Sequence, residues 1–392
     1  MDGRAFDWIR EELEELDRLG LRRFRRVRKR GQAGEFLLEG REVLHFGSND
    51  YLGLAGHPRV VAAACRAACE FGWGAGGSPL VCGYTSLHEQ LEQALADFQG
   101  TEAAIVFSSG YAANVGAISS LVGPGDVVYC DEANHASIWD GCRLSRADVR
   151  FFRHGDVEHL KDQLEKRGRY RRALVVTDTV FSIDGDLARL GELVDLAEKY
   201  DAMLLVDEAH ALGVFGSHGR GLVEHAELLQ AVPVRVATLS KALGSLGGFV
   251  AGPKAVIELI VNKARSYIFS TALPPPAIAA ALEALSLLRE MSFPGKELLL
   301  RAAWLREELR RQGWQVGPSQ SQILSVVVGE PEKALRLSAG LLERGVFCPA
   351  MRPPTVAKGR SCLRISLNLS HTPEMLEQLV LALDQVRTQV PV

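Results

Sequence analysis

Apolar positions along this chain follow two periods. Phe6, Ile9, Leu13 and Leu16 recur three or four residues apart and Gly20 follows, a spacing that predicts an amphipathic helix over about residues 5 to 19. A polar turn at 46–54 leads into helical spacing through Phe71, which returns from His88 to Gln99. Beyond that point short apolar runs bounded by small and polar residues read as buried strands: Ala104–Phe107, Val127–Cys130, Val149–Phe152, Ala173–Val176, Met203–Val206, Arg235–Leu239 and Phe249–Ala251. Helical stretches, among them 156–167 and 190–200, separate most of them. Such strands are apolar on both faces, so the pattern predicts an α/β fold with a mostly parallel central sheet between helices and ligands at the carboxyl ends of its strands.

The pattern changes after Pro274-Pro275-Pro276. Helices are expected at about 277–290, 296–312, 332–344 and 373–387, with strands at Ile323–Val328 and Cys362–Leu367, which together describe a smaller α+β C-terminal domain. The expected division is 1–45 as an N-terminal helix and arm, 46–285 as a large domain and 286–392 as the small one. There is no internal repeat or low-complexity tract.

Composition narrows the function class. With 392 residues, 47% of them hydrophobic and 24% charged, the chain has enough apolar surface for a large core. A net charge of -3 exerts no general pull on nucleic acid or an acidic membrane, so neither is an expected partner. No apolar run reaches the roughly 20 residues of a membrane span. The acids Asp2, Asp7, Glu11 and Glu12 fit neither a secretory nor a transit signal, and a cytoplasmic protein is expected. Seven cysteines without a CxxC pair or Cys/His ligand spacing point to reduced thiols and to no metal site. The basic run from Arg22 to Arg30 is either a solvated face or an attractor for an anionic substrate.

Lys241 carries the chemistry. It follows an apolar strand and sits between Thr238, Ser240 and Gly244, where a partly desolvated amine sheds its proton and condenses with a carbonyl. A surface lysine after a buried strand would look the same until an earlier strand end is added, Val206-Asp207-Glu208-Ala209-His210. An acid at one strand end and a lysine at a later one build a pyridoxal phosphate site, with Lys241 for the Schiff base and Asp207 for the pyridinium nitrogen. Ser108–Asn114, small residues at a strand-to-helix junction, offer a phosphate the backbone N–H groups of a helix start, though an ordinary helix cap has the same residues. Further polar residues gather at strand ends in Asn134-His135-Ala136-Ser137, Thr177-Asp178 and Phe181-Ser182-Ile183-Asp184-Gly185. Gly72, Gly74 and Gly77 match GxGxxG, but they follow a helix where a dinucleotide fingerprint follows a strand. Arg364, in a strand of the small domain, either forms an internal ion pair or clamps a carboxylate.

Six motifs in order, Ser48–Leu54, Asn134–Ser137, Phe181–Asp186, Val206–His210, Ser240–Gly244 and Phe269–Pro274, resemble those of the α-oxoamine synthase family of fold-type I pyridoxal phosphate enzymes over essentially the whole chain. The resemblance implies that Lys241 holds pyridoxal 5'-phosphate and later acts as base, that Asp207 pairs with the ring nitrogen, that His135 stacks on the ring, and that His210 and Ser182 bond its phenolic oxygen. It assigns the phosphate to Ser109, Gly110, Tyr111 and Thr238, and sends Thr271 to the phosphate of a partner subunit, which implies a homodimer with shared sites. Asn49 and Arg364 would hold an amino acid, and Arg22, with Arg23 adjacent, would lie near an acyl substrate. The stretches Phe71–Ser78 and Met351–Val356, the latter including Thr355 on the substrate side, are similar to the branch that condenses L-alanine with a pimeloyl thioester on coenzyme A or acyl carrier protein. A sister branch using glycine and acetyl coenzyme A, and a non-catalytic subunit, are the alternatives.

Overall fold

A computed structural model describes residues 4–31 and 34–387; the side chain of Arg30, at the end of the basic run, lies outside the described residues. Two compact units make up the chain, one formed by residues up to Ser48, Ile183–Gly185 and residues from Leu300 on, the other by Asn49–Ser182 and Asp186–Leu299.

The first unit opens with α1 (Trp8–Arg18) and three strands, β1 (Arg28–Gly31), β2 (Glu35–Leu38) and β3 (Arg41–His45). The expected helix is there, but none of its residues is buried: its Trp8 is 61% exposed, and Phe6 just before it 71%. Strands β1 to β3 were not expected, because each is four or five residues long, β1 is basic and the hydrophobic side chains that turn inward, Phe36, Leu38 and Val43, form only a small core.

The second unit begins with α2 (Pro58–Phe71) and α3 (Ser86–Gln99) and carries the central sheet. Its strands are β4 (Ala103–Phe107), β5 (Val127–Asp131), β6 (Asp148–Phe152), β7 (Ala173–Asp178), β8 (Met203–Asp207), β9 (Val234–Thr238) and β10 (Gly248–Gly252), in the order β4-β10-β9-β8-β7-β5-β6. All pairings are parallel except the two made by β10, so the sheet is mostly parallel as expected. The exception has a local cause. Only residues 239–247 separate β9 from β10, fewer than the dozen or so that a parallel crossover needs, and the chain turns straight back. Lys241 sits in that reversal. Helices α4 (Gly110–Leu121) and α5 (Ala136–Ser145) follow β4 and β5 and bury Ala113, Ala117, Ile118 and Ile138 against Val128, Val176, Leu205 and Val236 of the sheet. A helix at Lys254–Lys263, which the sequence did not announce, adds Ile257 and Ile260.

The first unit resumes with β11 (Ile323–Gly329), β12 (Val346–Phe347), β13 (Ala350–Met351) and β14 (Ser361–Ser366). β12 pairs parallel with β3, while β11, β14 and β13 form a separate antiparallel sheet flanked by helix Pro331–Glu343.

Candidate active site

In the second unit, polar residues at the carboxyl ends of β4, β5, β7, β8 and β9 form several hydrogen-bonded clusters. In one of them His210 joins the candidate Lys241 to Tyr51: its Nε2 lies 2.7 Å from Lys241 Nζ, and its Nδ1 lies 2.5 Å from the Tyr51 hydroxyl. Tyr51, fully buried, also reaches Asn49 Oδ1 at 3.2 Å. The ring of His210 thus couples the amine to a phenol, each nitrogen donating or accepting according to its tautomer. With a protonated Lys241 the Nε2 accepts and Nδ1–H faces the phenolic oxygen; with a neutral amine both directions reverse.

Asp207, at the end of β8, is buried and held from two sides. Its Oδ1 accepts the Ala209 N–H at 2.7 Å and its Oδ2 accepts the Asn114 side-chain amide at 2.6 Å. The same amide reaches Ser137 Oγ at 2.9 Å, and that hydroxyl lies 2.7 Å from His135 Nδ1. His135 caps α5, while its backbone N–H donates to Asp178 Oδ2 at 2.7 Å. Burial lowers the His135 pKa from its ordinary value; Asp207 and Asp140 oppose that and the Lys241 charge reinforces it. His135 still opens to solvent on one side, where a planar group could lie against the ring. Burial, then the charge of Asp207, pushes the Asp178 carboxyl well above the usual range.

The phosphate candidates surround the start of α4. Ser109 is its N-cap, with Oγ accepting the Ala112 N–H at 3.0 Å. Gly110 and Tyr111 follow as the first helical residues, whose N–H groups have no intrahelical acceptor. Glycine is required at this crowded point, since a Cβ on Gly248 would come within 2.5 Å of Gly110 Cα, and one on Gly110 within 3.3 Å of Thr238 Cβ. The Tyr111 hydroxyl donates to Asp140 Oδ2 at 2.5 Å, and Thr238 Oγ1 donates to Gly247 O at 2.8 Å. Ser182 is half-buried in the turn that the Val180–Leu187 bridge closes, and Thr271 is exposed in an irregular segment. Next to the network, His154 bridges Asp131 Oδ1 at 3.0 Å and Asp186 Oδ2 at 2.8 Å. Burial opposes its charging, but the two carboxylates outweigh this and raise its pKa to about 10.

Three candidates belong to the first unit. Arg364 is buried on β14, opposite Ser325 of β11. Arg22 is ion-paired with Asp17 and lies over the Phe24 ring at 5.3 Å. Its neighbour Arg23 is the arginine that approaches Thr355, with Nη2 at 3.4 Å from Oγ1 and 3.3 Å from Pro353 O. Tyr51, Asn114 and Ser137 had no role assigned from sequence; each stands inside a stretch already singled out, but the partners of Tyr51 and Asn114, His210 and Asp207, lie far along the chain.

A ring nitrogen, a phenolic oxygen and a phosphate arm suit this donor set: a carboxylate fixed by two N–H donors, a histidine next to a lysine amine, and a helix start kept open by glycine. A family model described as aminotransferase class I and II matches residues 41–383. A curated relative from Thermoanaerobacter pseudethanolicus, an 8-amino-7-oxononanoate synthase, is 43% identical over 98% of both chains. The solved serine palmitoyltransferase of Sphingomonas wittichii superposes with a TM-score of 0.93 at 37% identity, covering 99% of this chain and 98% of its own. A high-resolution structure of SPT with PLP gives 0.92 at 35% identity over 98% of each chain.

Proposed function

The chain belongs to the aminotransferase class I and II family, and from that premise we propose a pyridoxal 5'-phosphate-dependent acyltransferase that joins L-alanine to a pimeloyl thioester, releasing carbon dioxide, the thiol and 8-amino-7-oxononanoate, a step of biotin synthesis. The identity to 8-amino-7-oxononanoate synthases over nearly the full chain supports the substrates. The contact of 2.7 Å between Lys241 Nζ and His210 Nε2, beside an anchored Asp207, carries the chemistry.

When bound, the cofactor withdraws electrons from the α-carbon of the amino acid. Lys241 would hold it and, with its amine free, would take the α-proton, which His210 next to Nζ could share. Asp207, kept as an acceptor by Asn114 and the Ala209 N–H, holds a proton on the ring nitrogen. His135 would cover one ring face, and His210 and Ser182 would bond the phenolic oxygen. Ser109, Gly110, Tyr111 and Thr238 would take the phosphate. Asn49 and Arg364 are assigned to the amino acid, Arg364 to its carboxylate, and Arg22 or Arg23 with Thr355 to the acyl substrate.

A homodimer completes the proposal. Trp73, Val81 and Phe269 of the second unit are 76%, 80% and 70% exposed, and α1 of the first unit leaves its apolar side uncovered, which suits burial against a second copy. No helix among the described residues is long and apolar enough to cross a membrane.

Product analysis tests the reading: alanine with pimeloyl thioesters on coenzyme A and on acyl carrier protein, against glycine with acetyl coenzyme A and serine with a palmitoyl thioester. Formation of 8-amino-7-oxononanoate is expected, and turnover only in another arm would replace the substrates proposed. Lys241→Ala is expected to bind cofactor without turning over; normal activity in it would remove the base from the mechanism.

A further inference from the structure

Thr271 has to be held at a fixed height to reach a partner's phosphate, yet residues 271–274 have no regular secondary structure. Two contacts pin the segment. The Ala272 N–H donates to Gly77 O at 2.9 Å, and His88 Nε2 lies 3.1 Å from Leu273 O. His88, 3% exposed, is on the first turn of α3. Its Nδ1 accepts the Thr85 N–H at 3.2 Å and lies 2.9 Å from Thr85 Oγ1. A ring nitrogen that accepts a backbone N–H carries no proton, so the proton is on Nε2 and is donated to Leu273 O. Burial lowers the pKa of this imidazole, which keeps the ring neutral.

The same helix reaches the phosphate cradle of its own chain. One turn on, Glu92 accepts the Val106 N–H of β4 at 2.8 Å and the Tyr84 hydroxyl at 2.7 Å. β4 runs directly into Ser108, Ser109 and Gly110, and Ser270 Oγ lies 3.4 Å from Ser108 Oγ. One rigid element therefore touches both the strand that leads to the cradle and the segment that carries Thr271.

We propose that His88 is a positioning residue for the cofactor's phosphate: through the Leu273 carbonyl it sets Thr271 for the phosphate held by a partner subunit, so that α3 ties one site's cradle to the other site's trans contact. This rests on the proposed function. The rival explanation is that His88 does no more than finish the first turn of α3.

The two nitrogens make these roles separable. Asparagine presents its amide where Nδ1 is and keeps the contact to Thr85, but cannot reach Leu273; glutamine reaches Leu273 and gives up the Thr85 contact. Visible-absorbance titrations of the full chain, stripped of cofactor, would compare pyridoxal 5'-phosphate with pyridoxal, which lacks the phosphate. His88→Asn is expected to weaken the phosphorylated form about five- to tenfold, the size of one lost hydrogen bond, and to leave pyridoxal within about twofold. His88→Gln is expected to match the wild type for both, and Thr271→Ala to behave like His88→Asn. Should His88→Asn not fold, His88→Met, which fills the volume without a donor, carries the same expectation. Unchanged selectivity in the Asn or Met variant, equal weakening of both ligands, or loss of selectivity in His88→Gln would overturn the role of His88. If Thr271→Ala leaves selectivity unchanged, the trans phosphate contact itself fails, and this inference with it.

Discussion

Asn114 offers a test of how the ring nitrogen's partner is kept ready. It is 1% exposed, and its amide donates to Asp207 Oδ2 at 2.6 Å in a site where Asp207 is itself only 5% exposed. Asn114→Ala removes one of the two N–H donors on that carboxylate and leaves the Ala209 N–H alone. A hydrogen bond to a charged group contributes about 1.5–3 kcal/mol, and with 1.4 kcal/mol per decade that predicts a loss of roughly 10- to 150-fold in kcat/KM at saturating cofactor. The upper end applies if water cannot enter the volume vacated by the amide. Ser137 keeps its contact to His135 Nδ1 at 2.7 Å, so His135 stays in place and the loss reads on Asp207. Steady-state kinetics with alanine, alongside a cofactor absorbance titration to prove saturation, would measure it. A kcat/KM within about twofold of the wild type would refute the reasoning, because Asp207 would then need no support beyond one backbone N–H.

Two further predictions follow from the same network and its surroundings. Tyr51→Phe deletes the hydroxyl at 2.5 Å from His210 Nδ1 without changing the packing volume, and is expected to lower kcat by about three- to tenfold with KM unchanged; equal kcat values would exclude Tyr51 from orienting the histidine. Glu92 has its pKa raised from 4.5 to about 7, first by burial, against the Val106 N–H and Tyr84 hydroxyl that favour its charge; Glu89 adds to the rise. Because the folded-state value is the higher one, its contribution to stability is fully present below about pH 4.5 and is lost as pH rises through about 7. The loss is at most about 3 kcal/mol, and denaturant midpoints of wild type minus Glu92→Gln should fall across that window and level off above it. Parallel midpoints at every pH would show that Glu92 titrates normally.

What the sequence made legible is tied to junctions. Strands β4 to β10 were found within a residue or two because each is an apolar run stopped by small or polar residues, and Asp207, His210 and Lys241 were singled out because they stand at those stops. Strands β1 to β3 escaped, being four or five residues long with few inward positions. Tyr51 and Asn114 lacked assigned roles for a different reason. Their contacts to His210 and Asp207 span 159 and 93 residues, and such pairs depend on the register of whole elements. Likewise, Arg22 and Arg23 are equivalent in sequence, and only the path of the irregular segment after α1 decides that Arg23 meets Thr355 while Arg22 turns to Asp17.

Register still leaves a trace that can be argued backwards. α4 begins at Gly110, where the proposed phosphate site requires open backbone, and residue 114 comes one turn later on the same face. A helix whose first turn points at the phosphate thus places its fifth residue toward the neighbouring strand ends. There, a side chain with an N–H to give meets the carboxylate that ends β8. One helical turn links the proposed phosphate cradle to the support of Asp207, and that link accounts for a buried amide on a face that also carries Ala113, Ala117, Ile118 and Leu121. Read this way, Asn114 is the consequence of two requirements already visible in the chain: a glycine at the start of α4 and an acid at the end of β8.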